Sequence, residues 1–112
     1  MTKTIAVPTS NGMLDPHFGH CREFTLIEVN DENILGITTI DAPPHQPGLL
    51  PPWLAERNVT DVIAGGMGQR AIQLFNQFGI NVFVGAPLLS PQGLVEGFLQ
   101  RTITFSANYC DH

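Results

Sequence analysis

The second half of the chain alternates between strand-like and helix-like segments. Strands are predicted at residues 61–64 and 80–84, and the helix between them is expected to end just before Gly79, because glycine readily adopts the left-handed conformation that terminates helices. Ser90 followed by Pro91 marks the start of a further helix, since serine caps helix N-termini and proline fits the first turn. Strands that are separated by helices pair in parallel. This alternation predicts an α/β protein.

The first half of the chain predicts a different arrangement of strands. A short strand at residues 3–7 is expected to end at Pro8, and a loop follows it. Residues 22–29 and 34–40 are two strand-like runs separated by a polar turn, which is typical of an antiparallel hairpin. The whole chain, residues 1–112, is therefore predicted to be one domain with a mixed five-stranded sheet flanked by helices.

Two segments have weaker patterns. Pro51 and Pro52 fit only the first turn of a short helix, where their missing N–H groups are not needed. The tail from residue 101 to residue 112 is predicted to be irregular.

Composition excludes several classes of function. Five basic and ten acidic side chains give a net charge of −5, and the basic residues are scattered, so a nucleic-acid partner is disfavoured. The apolar runs are too short for a membrane span, and the N-terminus leads directly into a strand without a signal-peptide pattern. We therefore expect a cytoplasmic protein. Only 13% of the residues are charged, which leaves an uncharged polar surface that suits a protein partner.

The strongest local signal is HFGHC at residues 17–21. Imidazole and thiolate are the ligands that zinc, copper, iron and metal–sulfur clusters prefer. All histidines and cysteines of the chain lie in segments that are predicted to be irregular, and they are the predicted metal ligands: His17, His20, Cys21, His45, Cys110 and His112.

Two interpretations of these residues stay open. Loop histidines are often polar surface, and a single cysteine is often a small buried apolar residue. No CxxC pair is present, so a closed zinc site is not predicted. If metal binds, we expect an open or cluster-type site with few protein ligands. Because imidazole must be neutral to bind, the metal affinity should fall below about pH 6.

A second signal is the glycine-rich turn between the predicted strand and helix. Its candidate cofactor-binding residues are Gly66, Met67, Gly68 and Arg70. The turn fits G-x-G-x-x-G/A, but the acidic residue expected about 20 positions later in a dinucleotide-binding fold is missing, as is the lysine of a P-loop. The turn is either a tight connection that needs glycine or an anion pocket at a helix N-terminus, with Arg70 as the charge partner.

Several motifs, taken in this order, carry a resemblance to a known family: IAVP at residues 5–8, HFGHCREF at 17–24, His45, DVIAGGMG at 61–68 and GINV at 79–82. They resemble the dinitrogenase iron–molybdenum cofactor biosynthesis family, which includes NifX-like proteins, the C-terminal part of NifB and small stand-alone relatives. The resemblance implies a ribonuclease H-like three-layer fold with a mixed five-stranded sheet. It also implies non-catalytic binding of an iron–sulfur, iron–molybdenum or molybdenum–copper sulfide cluster. His17, His20 and Cys21 would lie on the cluster loop, beside the turn from Gly66 to Arg70.

Three functional hypotheses follow. The first is a non-enzymatic carrier of a metal–sulfur cluster or its precursor, which would exchange the cluster with a donor or acceptor protein. The second is a regulatory interaction module without a ligand. The third, by fold analogy alone, is a Mg²⁺-dependent nuclease, which would need convergent carboxylates. The candidates for that role are Asp15, Glu28, Asp41 and Asp61.

Overall fold

The computed structural model describes residues 2–44, 46 and 48–109. In chain order, its elements are β1 (Lys3–Ser10), β2 (Met13–Leu14), β3 (Glu23–Val29), β4 (Ile34–Asp41), α1 (Leu50–Ala55), β5 (Asp61–Ile63), α2 (Gln69–Gln77), β6 (Asn81–Val84), α3 (Pro91–Gln100) and β7 (Ala107–Tyr109). The predicted α/β class is confirmed.

All strands belong to one mixed sheet with the order β4-β3-β1-β5-β6-β7, and β2 pairs with the end of β1. β1, β5 and β6 are parallel, as the alternation with helices predicts. β3 is antiparallel to both β1 and β4, so the predicted hairpin is confirmed. The hairpin turn is held by Asn30, whose side-chain oxygen accepts hydrogen bonds from the backbone N–H groups of Glu32 and Asn33.

Helices cover both faces of the sheet, which gives three layers. Alternation along β3 sends Phe24 toward the face covered by α1 and α2, and Ile27 toward the face covered by α3. Phe75 of α2 and Leu94 of α3 are fully buried in the two cores. Each side chain of this kind stabilises the fold by about 2 kcal/mol relative to an exposed one.

The predicted count of five strands is wrong, because the described chain forms seven. β1 does not end at Pro8 but continues to Ser10. Pro8 is tolerated because β5 pairs with β1 only at Ile5 and Ala6, so the missing N–H of Pro8 lies beyond the end of β5. The loop after β1 contains the short strand β2, and the tail contributes β7, antiparallel to β6.

The helix ends follow the predicted local signals. Ser90 Oγ accepts a hydrogen bond from Gly93 N at 3.1 Å, and Gly79 follows α2 with a φ of 74°. α2 ends at Gln77, and the side chain of Phe78, which follows it, is 48% exposed. Within the described ranges, no helix is long and apolar enough to cross a membrane.

The contact between β6 and the C-terminal segment depends on Gly85. Gly85 has a φ of 81°, and a Cβ atom there would lie 2.6 Å from Ser106 Cβ and 2.7 Å from Ser106 N. Ser106 N also donates a hydrogen bond to Val84 O at 2.9 Å. A side chain at position 85 would therefore push β7 away from β6.

We predict that Gly85→Ala lowers the free energy of unfolding by at least about 2 kcal/mol more than Gly12→Ala does. Gly12 is a matched control, because its φ is 78° but a Cβ there would meet nothing within 4 Å. Both variants share the strain of a left-handed alanine, and only Gly85→Ala adds the overlap with Ser106. Urea unfolding measures the difference, and equal losses in the two variants would contradict this account of the packing.

Candidate functional site

The loops of interest meet at one edge of the sheet. β1, β4, β5 and β6 run in the same direction, so the loops that follow them emerge together. From β1 the chain continues to β3 on one side, and it later returns to β5 on the other side. In α/β sheets, ligands bind in the crevice formed at such a switch point, outside the carboxyl ends of the strands. The corresponding position in this sheet lies between the loop after β1 and the loop after β5.

Hydrogen bonds to Asp15 close the loop after β1. Asp15 Oδ1 accepts from His17 N at 2.8 Å, which is an Asx turn, and Asp15 Oδ2 accepts from Ser10 Oγ at 2.7 Å. Ser10 Oγ in turn accepts from Arg22 N at 3.2 Å, so the two ends of the loop are tied together. Burial raises the pKa of Asp15, but these two hydrogen bonds and the nearby His17 and His20 lower it more, so the pKa lies below its ordinary value.

A tight turn determines where the two loop histidines lie. His20 N donates to His17 O at 3.1 Å, and Gly19 adopts a φ of 94°, which favours glycine. Phe18 turns inward and packs edge-on against Phe24 and Phe75, with ring centroids 6.1 and 5.6 Å apart. The half-buried ring anchors the turn, while His17 and His20 stay exposed.

The glycine-rich turn after β5 lies directly beside this loop. A Cβ atom on Gly65 would be 3.3 Å from Pro16 Cα, so only a residue without a side chain permits this approach comfortably. Gly68 is the N-cap of α2 in an extended conformation and offers no capping side chain, so it leaves N–H groups of the first turn available. Met67 packs against the core on the α2 side, and Arg70 is exposed.

Cys21 lies differently from its neighbouring histidines. It is only 9% exposed and belongs to the core on the α1 and α2 face. Burial raises the pKa of its thiol to about 11, with a further contribution from the charge of Asp15. The thiol is therefore protonated near neutral pH, whereas metal binding requires the thiolate.

The predicted ligands are brought together only in part. His17 and His20 share one exposed turn, while Cys21 points into the core. Among the residues that the structure describes, no group of three histidine, cysteine or acidic side chains could hold a metal ion. The predicted ligands that lie outside the described residues are His45, Cys110 and His112.

Comparison with known proteins identifies the family. The model of a family described as dinitrogenase iron-molybdenum cofactor matches residues 1–101. The chain belongs to the dinitrogenase iron-molybdenum cofactor family. The resemblance noted from the sequence motifs is thereby confirmed, and the family's name associates it with the iron-molybdenum cofactor.

Individual proteins resemble this chain in sequence or in fold. The uncharacterized protein MJ0580 of Methanocaldococcus jannaschii is 32% identical over 84 residues, which cover 70% of this chain and 71% of that protein. The crystal structure of PH0822 has a TM-score of 0.85 at 24% identity and covers 92% of this chain and 94% of its own. The apo form of the orange protein from Desulfovibrio gigas has a TM-score of 0.78 at 23% identity, covering 94% and 93%. At these identities, the two solved structures show a shared fold.

Three residues that build this family member's site were not predicted as site residues: Ser10, Phe18 and Gly65. Asp15 was a candidate only as a Mg²⁺ carboxylate, and its role in closing the loop was not predicted. A signal existed for Asp15, because Asp followed by Pro favours a turn in which the carboxylate accepts a backbone N–H. The other three act through long-range contacts, which local patterns do not reveal.

We predict that Asp15→Asn lowers the free energy of unfolding at pH 7 by about 1 kcal/mol, because it weakens two hydrogen bonds to a carboxylate. The folded-state pKa of Asp15 lies below its unfolded value of 3.8, so its contribution is present above about pH 4 and is lost as the pH falls through the folded pKa. Urea unfolding at pH 7 and pH 3 should show a smaller difference between wild type and Asp15→Asn at pH 3. A constant difference would contradict the role of the charge.

We predict that Cys21 reacts slowly with iodoacetamide. At pH 8, the pKa of about 11 reduces its thiolate fraction about 100-fold relative to an unfolded thiol of pKa 9.0, and burial slows the reaction further. Peptide-resolved mass spectrometry measures the rate at which the Cys21 peptide is modified in the folded protein. The control is the same protein unfolded in about 6 M urea. Similar rates in both states would show that the thiol is not buried.

Proposed function

We propose that this protein binds and delivers a metal–sulfur cluster, or a precursor of one, as a carrier without catalytic activity of its own. The cluster is the cargo, of an iron–sulfur, iron–molybdenum or molybdenum–copper sulfide type. Membership of the dinitrogenase iron-molybdenum cofactor family supports this proposal, and the exposed imidazoles at the switch point of the sheet supply ligands of suitable chemistry.

The observation that carries the proposal is the contact between Gly65 and Pro16. A Cβ on Gly65 would approach Pro16 Cα to 3.3 Å, so the loop that carries the histidine turn lies directly against the glycine-rich turn. These two segments are far apart in sequence, and each contributes a different kind of group. One provides nitrogen ligands, and the other provides backbone N–H groups.

Charge also supports a sulfide-rich cargo. Metal–sulfide clusters are anionic, and the N-terminus of α2 carries a partial positive charge from aligned peptide dipoles. Arg70, in the first turn of α2, adds a full positive charge on the exposed side. The protein as a whole carries a net charge of −5, so this local positive region would be needed to retain an anion.

The geometry favours an open site with few protein ligands. His17 and His20 are exposed and belong to one tight turn, so both imidazoles can face the same cluster. Cys21 would serve as a ligand only after the turn opened and the thiol lost its proton. Weak attachment by two side chains suits a carrier, because delivery requires the cargo to leave.

The alternatives receive less support. A Mg²⁺-dependent nuclease needs convergent carboxylates, and the described residues contain no group of three potential metal ligands.

The strand order supports a ribonuclease H-like classification of the fold. Without the short strands β2 and β7, the order is β4-β3-β1-β5-β6, and β3 is antiparallel to β1.

We infer that a donor or acceptor protein would contact the edge strand β4 during exchange of the cluster. Its residues 34–40 carry no charge, and Leu35 and Ile37 are about half exposed. Unpaired edge strands without charged or proline residues readily accept another chain.

We predict that anaerobic reconstitution with iron, molybdate and sulfide loads the wild-type protein and that His17→Ala/His20→Ala reduces the bound metal about ten-fold or more. Elemental analysis and the ultraviolet–visible spectrum measure the uptake. Cys21→Ala should reduce it less, because the buried thiol does not face the exposed imidazoles.

Gln73→Ala/Gln77→Ala is the control, since it removes two exposed side chains of α2 and leaves the histidine turn unchanged. Circular dichroism should confirm that all variants are folded. Equal metal uptake by the wild type and the double histidine variant would refute the carrier proposal as stated.

A further inference from the structure

An apolar cavity of about 180 Å³ lies beneath the histidine turn, on the face of the sheet covered by α1 and α2. Its walls come from the loop after β1, from β3, from the loop between β4 and α1, from the start of α1 and from α2. Aromatic walls are provided by Phe18 and Phe24, and aliphatic walls by Leu49, Leu50 and Leu74. The cavity is separate from the exposed imidazoles, because Phe18 turns inward while the histidines face outward.

The lining of this cavity favours an uncharged, apolar group of a ligand. None of the described side chains that line it is acidic or basic. Transfer of a charge into such surroundings is costly, whereas apolar surface gains about 25 cal/mol for each Å² removed from water. An apolar cavity of about 150 Å³ accommodates benzene. The inner cavity therefore fits one aromatic ring or a branched aliphatic group of similar size.

The outer end of the cavity has a different character. A second hollow shares Gly48, Ala71 and Leu74 with the inner cavity and adds Arg70 at its rim. Arg70 is exposed and makes no ion pair with any residue in the described ranges. A ligand whose body occupied the inner cavity would therefore extend its outer end toward a guanidinium group, which pairs well with a carboxylate.

We propose that this cavity binds a small amphipathic anion, namely an aromatic or branched aliphatic carboxylate with its apolar body between Phe18 and Leu74 and its carboxylate at Arg70. This binding activity uses the inner face of the histidine turn and needs no metal, although it shares Arg70 with the positive region proposed for the cluster cargo. Since Phe18 both lines the cavity and anchors the turn, an occupied cavity would also hold the turn in place.

The test uses metal-free protein and three probes that separate the two halves of the interaction. Benzoate has both the ring and the charge, benzamide has the ring without the charge, and acetate has the charge without the ring. We expect NMR titration to give a Kd for benzoate of about 1 mM or lower, weaker binding of benzamide, and no saturable binding of acetate. Benzoate should also slow iodoacetamide modification of the Cys21 peptide, because it covers the thiol.

Two substitutions locate the ligand. Arg70→Gln should weaken benzoate binding about three-fold and leave benzamide unchanged, and Arg70→Lys should retain most of the affinity. Ala71→Leu should fill the shared part of the two hollows and weaken both ring-containing probes about ten-fold. Gln73→Leu is the matched control, since it adds the same side chain type at an exposed position of the same helix.

Three results would overturn the proposal. The first is that benzoate leaves the resonances of the lining residues unshifted at concentrations of about 10 mM, well above the expected Kd. Gln73→Leu could weaken binding as much as Ala71→Leu, which would place the ligand outside the cavity. Equal affinities for benzoate and benzamide, unchanged by Arg70→Gln, would remove the anionic half of the assignment.

Discussion

The position of β1 between β3 and β5 is the constraint on which this structure depends. β1 pairs antiparallel with β3 on one side and parallel with β5 on the other. The strands that follow β1 in sequence are added first on the β3 side and then, from β5 onward, on the opposite side. The loops after β1 and β5 consequently leave the same edge of the sheet side by side, at the position where α/β sheets bind ligands. The histidine turn and the glycine turn meet there because the strand order requires it, and Gly65 permits their close approach.

At this edge of the sheet, neighbouring residues of one turn combine a side chain packed against the core with side chains exposed to water. Phe18 is drawn into the core by its contacts with Phe24 and Phe75, and this anchors a turn whose histidines remain in water. Burial of one side chain thus supplies the rigidity that exposed ligands need. Cys21 is itself buried in the core on the α1 and α2 face, and this burial raises the pKa of its thiol to about 11. The segment therefore has a polar outer face and an apolar inner face.

Each of these two faces suits a different ligand. The outer face combines imidazoles with the positive N-terminus of α2 and suits an anionic cluster. The inner face is an apolar cavity that opens toward Arg70 and suits a small organic anion. Because Phe18 contributes to both, occupancy of the cavity would restrict the motion of the turn. Coupling of this kind would be reciprocal, since linkage between two sites acts equally in both directions.

The sequence by itself determined the α/β class, the parallel pairing after residue 60, the β3–β4 hairpin and the family, because these depend on periodicity, caps and motifs that act locally. Only the tertiary structure decided the strand count: β2 and β7 are three residues long or shorter, and they exist through pairing with β1 and β6. It also decided that Cys21 is buried while His17 and His20 are exposed, and that Leu49 and Leu74 line a cavity. Burial and close approach arise between segments that are distant in sequence, and no local pattern encodes them.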